Sequence, residues 1–157
     1  MTVLTGEYEP SARPWVREQV ERYESSGGRE GNTSNGEPHV PVVIITSVGA
    51  KSGKLRKNPV IRVEHDGCYA AVASKGGAAQ HPGWYWNFLA HPLVQLQDGP
   101  QPRLYRARPV SGDERRQWWD RAVSVWPAYA EYQARTDREI PVFVLEPADE
   151  SDQEGER

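Results

Sequence analysis

Residues 40–67 read VPVVIITSVGAKSGKLRKNPVIRVEHDG. The first nine, VPVVIITSV, form a β-branched apolar run of the kind found in a buried strand. After a turn, RKNPVIRVEHD alternates well enough to be a second strand, and Asp66-Gly67 is a strong hairpin signal into a third, CYAAVAS. Strands joined by tight turns pair antiparallel, which argues against a doubly wound parallel sheet. The first turn is itself unusual. Lys51, Lys54, Arg56 and Lys57 fall within seven residues, between and after Gly49 and Gly53. Glycines let the backbone bend and turn its N–H groups outward, and with the cations they suit phosphate or carboxylate groups. The string GAKSGK is not a P-loop: three residues separate the glycines where four are needed, and Leu55 follows Lys54. The plainer reading is a solvated basic turn.

On the N-terminal side, Pro14 suits the first turn of a helix running to Glu24, with Trp15, Val16, Val20 and Tyr23 near helical spacing. Ser25 to Glu37, SSGGREGNTSNGE, has four glycines and no large apolar side chain, and is expected to be a loop or mobile connector. On the C-terminal side, KGGAAQHP is a glycine-rich turn and GWYWNFLAHP a short helix stopped by Pro92. LVQLQ, Asp98-Gly99 and RLYRARPV make a further hairpin. Ser111 and Glu114 have capping-box spacing ahead of a helix carrying Trp118, Trp119, Ala122 and Val125. Pro127 suits the first turn of its continuation through Tyr129 and Tyr132, and IPVFVLEP is a last strand. The expected fold is α+β: an antiparallel barrel with an N-terminal helix and inserted helices.

The chain has 157 residues, the size of one domain, and a formal net charge of −3. Six acids and one base crowd into Glu146 to Arg157, so residues 1–145 carry 18 bases against 16 acids and the acidity belongs to the tail. The organisation expected is a helix and flexible glycine-rich linker over 1–39, a barrel over 40–147 and a disordered acidic tail over 148–157. Cys68 is the single cysteine, which excludes an internal disulfide framework. No apolar run approaches the ~20 residues of a membrane span, and no signal peptide is evident, so the cytosol is expected. The first helix alternates Arg and Glu on its polar face instead of being lysine-rich, which favours a soluble protein over one held at a membrane surface.

A second glycine-rich turn, SKGGAAQHPGWYWN over 74–87, again joins a strand end to a helix start. Two such turns on one small barrel would clamp a polyanion, with Trp84, Tyr85 and Trp86 adding flat apolar surface beside it. The plainer reading of these aromatics is core packing. His39, His65, His81 and His91 show no metal-ligand spacing with acids or Cys68, and Ser52 and Ser74 lack a nucleophile-elbow context, so neither a catalytic metal nor nucleophilic hydrolysis is indicated.

Three ordered strings, ITSVGAKSGKLRKNPV, VASKGGAAQHPGWYWNFLAHP and WPAYAEYQARTDREIPVFVLEP, resemble the deazaflavin-dependent nitroreductase family, over roughly two-thirds of the chain. The family consists of split β-barrels related to the flavin-mononucleotide-binding, flavoredoxin-like barrels, and it uses coenzyme F420. The resemblance implies that Lys51, Ser52, Gly53 and Arg56 contact the coenzyme's phosphate and glutamate tail. It likewise implies that Ser74, Lys75 and Gly76, with Trp84, Tyr85 and Asn87, flank its ring. Ala50 stands where the family usually has arginine, with Lys54 or Lys57 to take its place. Trp126, Tyr129 and Tyr132, at i, i+3 and i+6, stand where nitro-reducing members carry three tyrosines, so they are the expected substrate wall. Tyr129 is the first choice as hydrogen-bond or proton donor, with Tyr132 and Ser74 next. The implied activity is hydride transfer from reduced F420 to a small enone, quinone or nitro acceptor. Split barrels often pair, so a homodimer is expected. The rival is a binding module without turnover, for the coenzyme or for nucleic acid, but the basic residues form one turn rather than a stripe and residues 1–145 carry only two excess bases.

Overall fold

The computed structural model describes residues 4–34 and 37–148. The acidic tail proposed from the sequence therefore lies, apart from Ala148, outside the described residues. In chain order the elements are α1 (Pro14–Ser26), β1 (Thr33–Ser34), β2 (Glu37–Val48), β3 (Leu55–Ile61), β4 (Glu64–His65), β5 (Cys68–Val72), a 3-10 turn (Lys75–Gly77), α2 (Gly83–Ala90), β6 (Leu93–Gln97), β7 (Pro102–Pro109), α3 (Gly112–Val125), α4 (Ala128–Ala134) and β8 (Val142–Pro147).

The long apolar run is the hub. On one edge β2 pairs antiparallel with β3, from Val42↔Ile61 to Val48↔Leu55, and on the other with β6, from Ile44↔Gln97 to Thr46↔Gln95. The sheet continues from β6 through β7, β8 and β5 to β4, antiparallel at every step. RKNPVIRVEHD is thus two short strands, not one. The chain breaks at Arg62 and Val63, where Arg62 N–H donates to the Pro41 carbonyl at 2.9 Å and the Val63 carbonyl accepts from Ala70 N–H at 2.8 Å. One segment therefore pairs with β2 at its start and β5 at its end, and so closes the sheet into the split barrel expected from the sequence.

Strand alternation divides the core. Val43 and Ile45, Tyr69 and Ala71, Val94 and Leu96, Tyr105 and Ala107, and Phe143 and Leu145 point inward, with Phe88 of α2 plugging one end. The opposite faces of β5 and β8, Ala70, Val72, Val142 and Val144, pack under Trp118, Ala122 and Tyr129 of α3 and α4. The outer face of β2 at Ile44 receives Val16, Val20 and Tyr23 of α1. This double use explains why β2 shows no polar alternation.

α1 is pinned beyond that contact. Tyr23 donates its hydroxyl to the Gln97 carbonyl at 3.1 Å and accepts from Gly99 N–H at 2.9 Å. Gly28, at φ 83°, lets the chain pass so close to the β6–β7 turn that a Cβ there would lie 2.9 Å from Gly99 Cα. The glycine-rich connector is tied as well: Gln19 Nε2 donates to the carbonyls of Gly31 and Thr33, both at 2.9 Å, and β1 pairs with β2.

The capping box does not form. Ser111 occupies the N-cap position of α3 with extended backbone but makes no side-chain cap bond. Glu114 is instead taken by both terminal nitrogens of Arg108, at 2.8 and 2.6 Å, and Arg108 also donates to Glu146 at 2.7 Å. A bidentate guanidinium pair outcompetes one hydrogen bond to a backbone N–H. These contacts hold the Arg108 pKa up and the Glu114 pKa down. α3 also stops at Val125, because Trp126 leaves the helical region at φ −135° and ψ 89°, and Pro127 is the N-cap of a separate α4.

Barrel closure carries a testable weight. Asp98 accepts from Arg62 Nε at 2.8 Å and from the Tyr69 hydroxyl at 2.6 Å, joining the bent segment to the β6–β7 turn and β5. Asp98→Ala removes the carboxylate that both donors share. It should lower unfolding free energy by about 2–4 kcal/mol, the range for losing charged hydrogen bonds at a partly solvated site, read from the shift in urea midpoint.

Candidate active site

Two loops at one end of the barrel and the helices beside them surround a cleft of about 730 Å³. The basic turn between β2 and β3 forms one wall. It is closed by Gly49 N–H to the Lys54 carbonyl at 2.8 Å, Gly53 N–H to the Gly49 carbonyl at 3.0 Å and Lys54 N–H to Ser52 Oγ at 3.1 Å. A Cβ at Gly49 would fall 2.5 Å from Ser52 Oγ, so a methyl there would displace that hydroxyl from its bond to Lys54 N–H. Asn87, on α2, accepts from Ala50 N–H at 2.9 Å and so fixes the turn against the second loop. Ala50, Lys51, Ser52, Arg56 and Asn87 line the cleft; Gly53 and Lys54 do not.

The four cations of this turn differ in what they are free to do. Lys54 pairs with Glu7 at 3.3 Å, Arg56 with Glu9 at 3.3 Å, and Lys57 with Glu24 at 2.5 Å while lying over the Tyr8 ring. Lys57 is half-buried between α1 and β3 and is spent on holding them together. Lys51 is exposed, lines the cleft and has no carboxylate partner among the described residues. The backbone enforces the Glu7 and Glu9 contacts, because Leu55 N–H donates to the Glu7 carbonyl at 2.7 Å and Glu9 N–H to the Leu55 carbonyl at 2.9 Å.

The second wall is the turn after β5. Lys75, Gly76 and Gly77 take φ of 48°, 65° and 83°, and for lysine this left-handed backbone is strained. Ser74, Lys75, Gly76 and Trp84 line the cleft. Ser74 is buried, yet its hydroxyl has no hydrogen-bond partner among the described residues. Trp84 leans on Phe88 and Phe143 with centroids 4.8 and 6.2 Å away, which sets its plane. Tyr85 is not a lining residue: it stacks on His81 at 4.1 Å and meets Phe143 edge-on at 5.7 Å, wedging α2 onto the barrel.

Trp126, Tyr129 and Tyr132 come together on the third side. Trp126 Nε1 donates to the Tyr132 hydroxyl at 3.3 Å, and the Tyr129 ring lies 6.1 Å from that of Tyr132 and 6.2 Å from that of Trp119. Tyr129 is buried, and burial pushes its hydroxyl pKa well above the ordinary 10.0, with Tyr132 adding to the shift. It therefore holds its proton throughout the physiological range and is an uncharged donor. Its hydroxyl is engaged by no group among the described residues.

The sequence did not single out Glu9, Ser11, Arg13 and Trp15 for this cleft, nor Asn58 and Pro59. They come from the segment leading into α1, from its first turn and from β3. A signal was present for Trp15, which adjoins the buried stripe of α1 yet is 47% exposed. Arg13 contributes a further cation on the same side as the exposed Trp15.

The family model described as F420H(2)-dependent quinone reductase matches residues 15–147. An F420H(2)-dependent quinone reductase of Mycobacterium tuberculosis is 36% identical over 126 residues, 78% of this chain and 83% of that protein. Among solved structures, an F420-H2 dependent reductase aligns with a TM-score of 0.65 and 53% identity, over 68% of this chain and 94% of that one. A chain solved as a domain-swapped dimer aligns with a TM-score of 0.68 and 48% identity, over 87% and 100%. The matched span runs from the first turn of α1 to the end of β8 and takes in all three walls of the cleft; the chain belongs to the F420H(2)-dependent quinone reductase family, a group of F420-dependent oxidoreductases built on the split barrel.

Proposed function

We propose that the protein binds reduced F420 with its anionic tail at the basic turn and its ring at Ser74–Gly76 and Trp84, and reduces a quinone held against Trp126, Tyr129 and Tyr132. The observation that carries this reading is that one cleft joins Lys51 to a glycine-lined slot and an aromatic wall, with neither Lys51 nor the Tyr129 hydroxyl bonded to a partner among the described residues. The residues fit the coenzyme. Gly76 leaves room for close approach, since a Cβ there would meet nothing within 4 Å, Lys51, Arg13 and Lys75 offer charge to phosphate and carboxylates, and Trp84 offers a plane to a flat ring.

Bound reduced F420 supplies the hydride. The chain's own part is to align the acceptor over the ring, exclude water with Trp126 and Tyr132, and hold a proton at Tyr129 Oη beside the acceptor oxygen. A phenol with a raised pKa suits this role, because it donates a hydrogen bond to an oxygen gaining negative charge without ionising first. Trp126 in place of a smaller phenol narrows the entrance, which favours flat quinones over bulky nitroaromatics; enones remain a second class of acceptor. The paired carboxylates of Glu7 and Glu9 weigh against a nucleic-acid partner, since they neutralise half of the basic turn. The relative solved as a domain-swapped dimer supports pairing of two copies, which light scattering tests. No helix among the described residues is long and apolar enough to cross a membrane.

Lys51→Ala should weaken F420 binding about 10- to 100-fold, the loss of one charge-assisted contact, and added salt should narrow the gap to wild type. Arg56→Ala should do less, because Arg56 must first be released from Glu9. Fluorescence titration of F420 measures both, and equal, unchanged affinities would remove the anion site from the basic turn. Tyr129→Phe should keep F420 affinity and slow reduction by roughly 10- to 1,000-fold. Stopped-flow oxidation of reduced F420 by a menadione-type quinone reads that rate, and wild-type speed would return Tyr129 to the core. Trp126→Tyr should shift the ranking of quinones, enones and nitroaromatics in the same assay while leaving F420 binding intact.

A further inference from the structure

Arg138 stands in the connection between α4 and β8, far along the chain from the turn that follows β5, yet its guanidinium donors point there. Its Nε donates to the Ala78 carbonyl at 2.9 Å and its Nη2 to the Ser74 carbonyl at 2.7 Å, while Nη1 lies 2.9 Å from His81 Nδ1. Among the described residues no carboxylate pairs with it. A half-buried guanidinium spent on two carbonyls and an imidazole is a structural fork rather than a solvated charge. Burial pushes its pKa down, and burial followed by the charge of Arg138 pushes the His81 pKa down, which keeps that ring neutral and its Nδ1 able to accept.

The other end of the fork is tied to the substrate wall. Gln133, on α4 one residue after Tyr132, donates from Nε2 to the Arg138 carbonyl at 2.8 Å and accepts at Oε1 from Ile140 N–H at 2.9 Å. The turn also presses directly on α4, since a Cβ at Gly77 would lie 2.9 Å from the Tyr132 carbonyl oxygen. The Ser74 carbonyl receives both Arg138 and Gly77 N–H, at 2.7 and 3.0 Å, so both its lone pairs are used at the start of the strained Lys75–Gly77 backbone.

We propose that Arg138 is a positioning residue that fixes the Ser74–Ala78 turn to α4 and so sets the distance between the coenzyme slot and the aromatic substrate wall. This rests on the functional reading above for what the two walls hold, but the mechanical coupling stands without it. A lysine at 138 cannot replace the fork, because one ammonium cannot meet two carbonyls and an imidazole arranged around a planar group.

The test uses Arg138→Ala and Arg138→Lys in the full chain, with hydrogen exchange, F420 titration and rescue by guanidinium. Amides of 74–81 should exchange at least about 10-fold faster in both variants while those of β6 and β7 stay as in wild type. F420 affinity should fall about 10- to 100-fold in both variants, as for the loss of charged hydrogen bonds. Millimolar guanidinium should restore much of the Arg138→Ala loss where sodium chloride of equal ionic strength does not. Unchanged exchange at 74–81, or an Arg138→Lys protein equal to wild type, overturns the proposal. If Arg138→Ala does not fold, Arg138→Lys decides by exchange and titration. If wild type itself fails to bind F420, the functional reading falls, and the exchange and its guanidinium rescue still decide the role of Arg138.

Discussion

A single segment, Leu55 to His65, has to serve two neighbours that lie on opposite margins of the sheet. It pairs with β2 first and with β5 last, and the change of partner happens at Arg62 and Val63. Once that bend is made, the sheet has no long open edge between β3 and β4, and the inward residues of every main strand meet in one core. At the bend Arg62 and Tyr69 share one carboxylate, Asp98, which sits in the opposite hairpin turn and receives both. The two glycine-rich loops at the far ends of β2 and β5 then face each other across the mouth because the strands that carry them are locked in register.

The site is a by-product of that closure and of helix placement. α2 starts where the second loop ends, so Asn87 can reach the Ala50 amide and Trp84 can lean on Phe88 and Phe143. α3 and α4 cover the outer face of β5 and β8, and the break between them at Trp126 turns that residue and Tyr132 toward the mouth instead of continuing the coat of the barrel. The basic turn and the aromatic wall therefore come from different layers, which the loop after β5 helps to join.

Much of this was legible in the residues because local signals and tertiary needs agreed. Asp66-Gly67 and Asp98-Gly99 turn where their φ values permit, with Asp66, Gly67 and Gly99 all at positive φ. The β-branched run is the central strand, and Pro92 follows the end of α2. What was not legible depended on long-range competition. Ser111 and Glu114 have the right spacing for a capping box, but Arg108 on β7 takes the carboxylate, and nothing in the spacing announces a cation arriving from a neighbouring strand. Likewise the basic turn shows four equal cations in the sequence. Folding makes them unequal, because a strap from residues 7–9 brings two carboxylates and α1 brings a third. Arg13 and Trp15 were assigned to a separate N-terminal region, since periodicity describes which face of a helix is buried but not which cleft its exposed corner borders.

The strap has a consequence for how an anion is exchanged. Glu7 and Glu9 are held beside Lys54 and Arg56 by backbone hydrogen bonds to Leu55, so they behave as resident counter-ions whose effective concentration does not fall on dilution. A carboxylate that bound at Arg56 would replace a carboxylate, leaving the local charge balance and the number of mobile salt ions nearly unchanged. At Lys51, which has no carboxylate partner among the described residues, it would displace only ions from solution. On the proposed reading, binding at Lys51 would therefore depend on ionic strength more strongly than binding at Arg56.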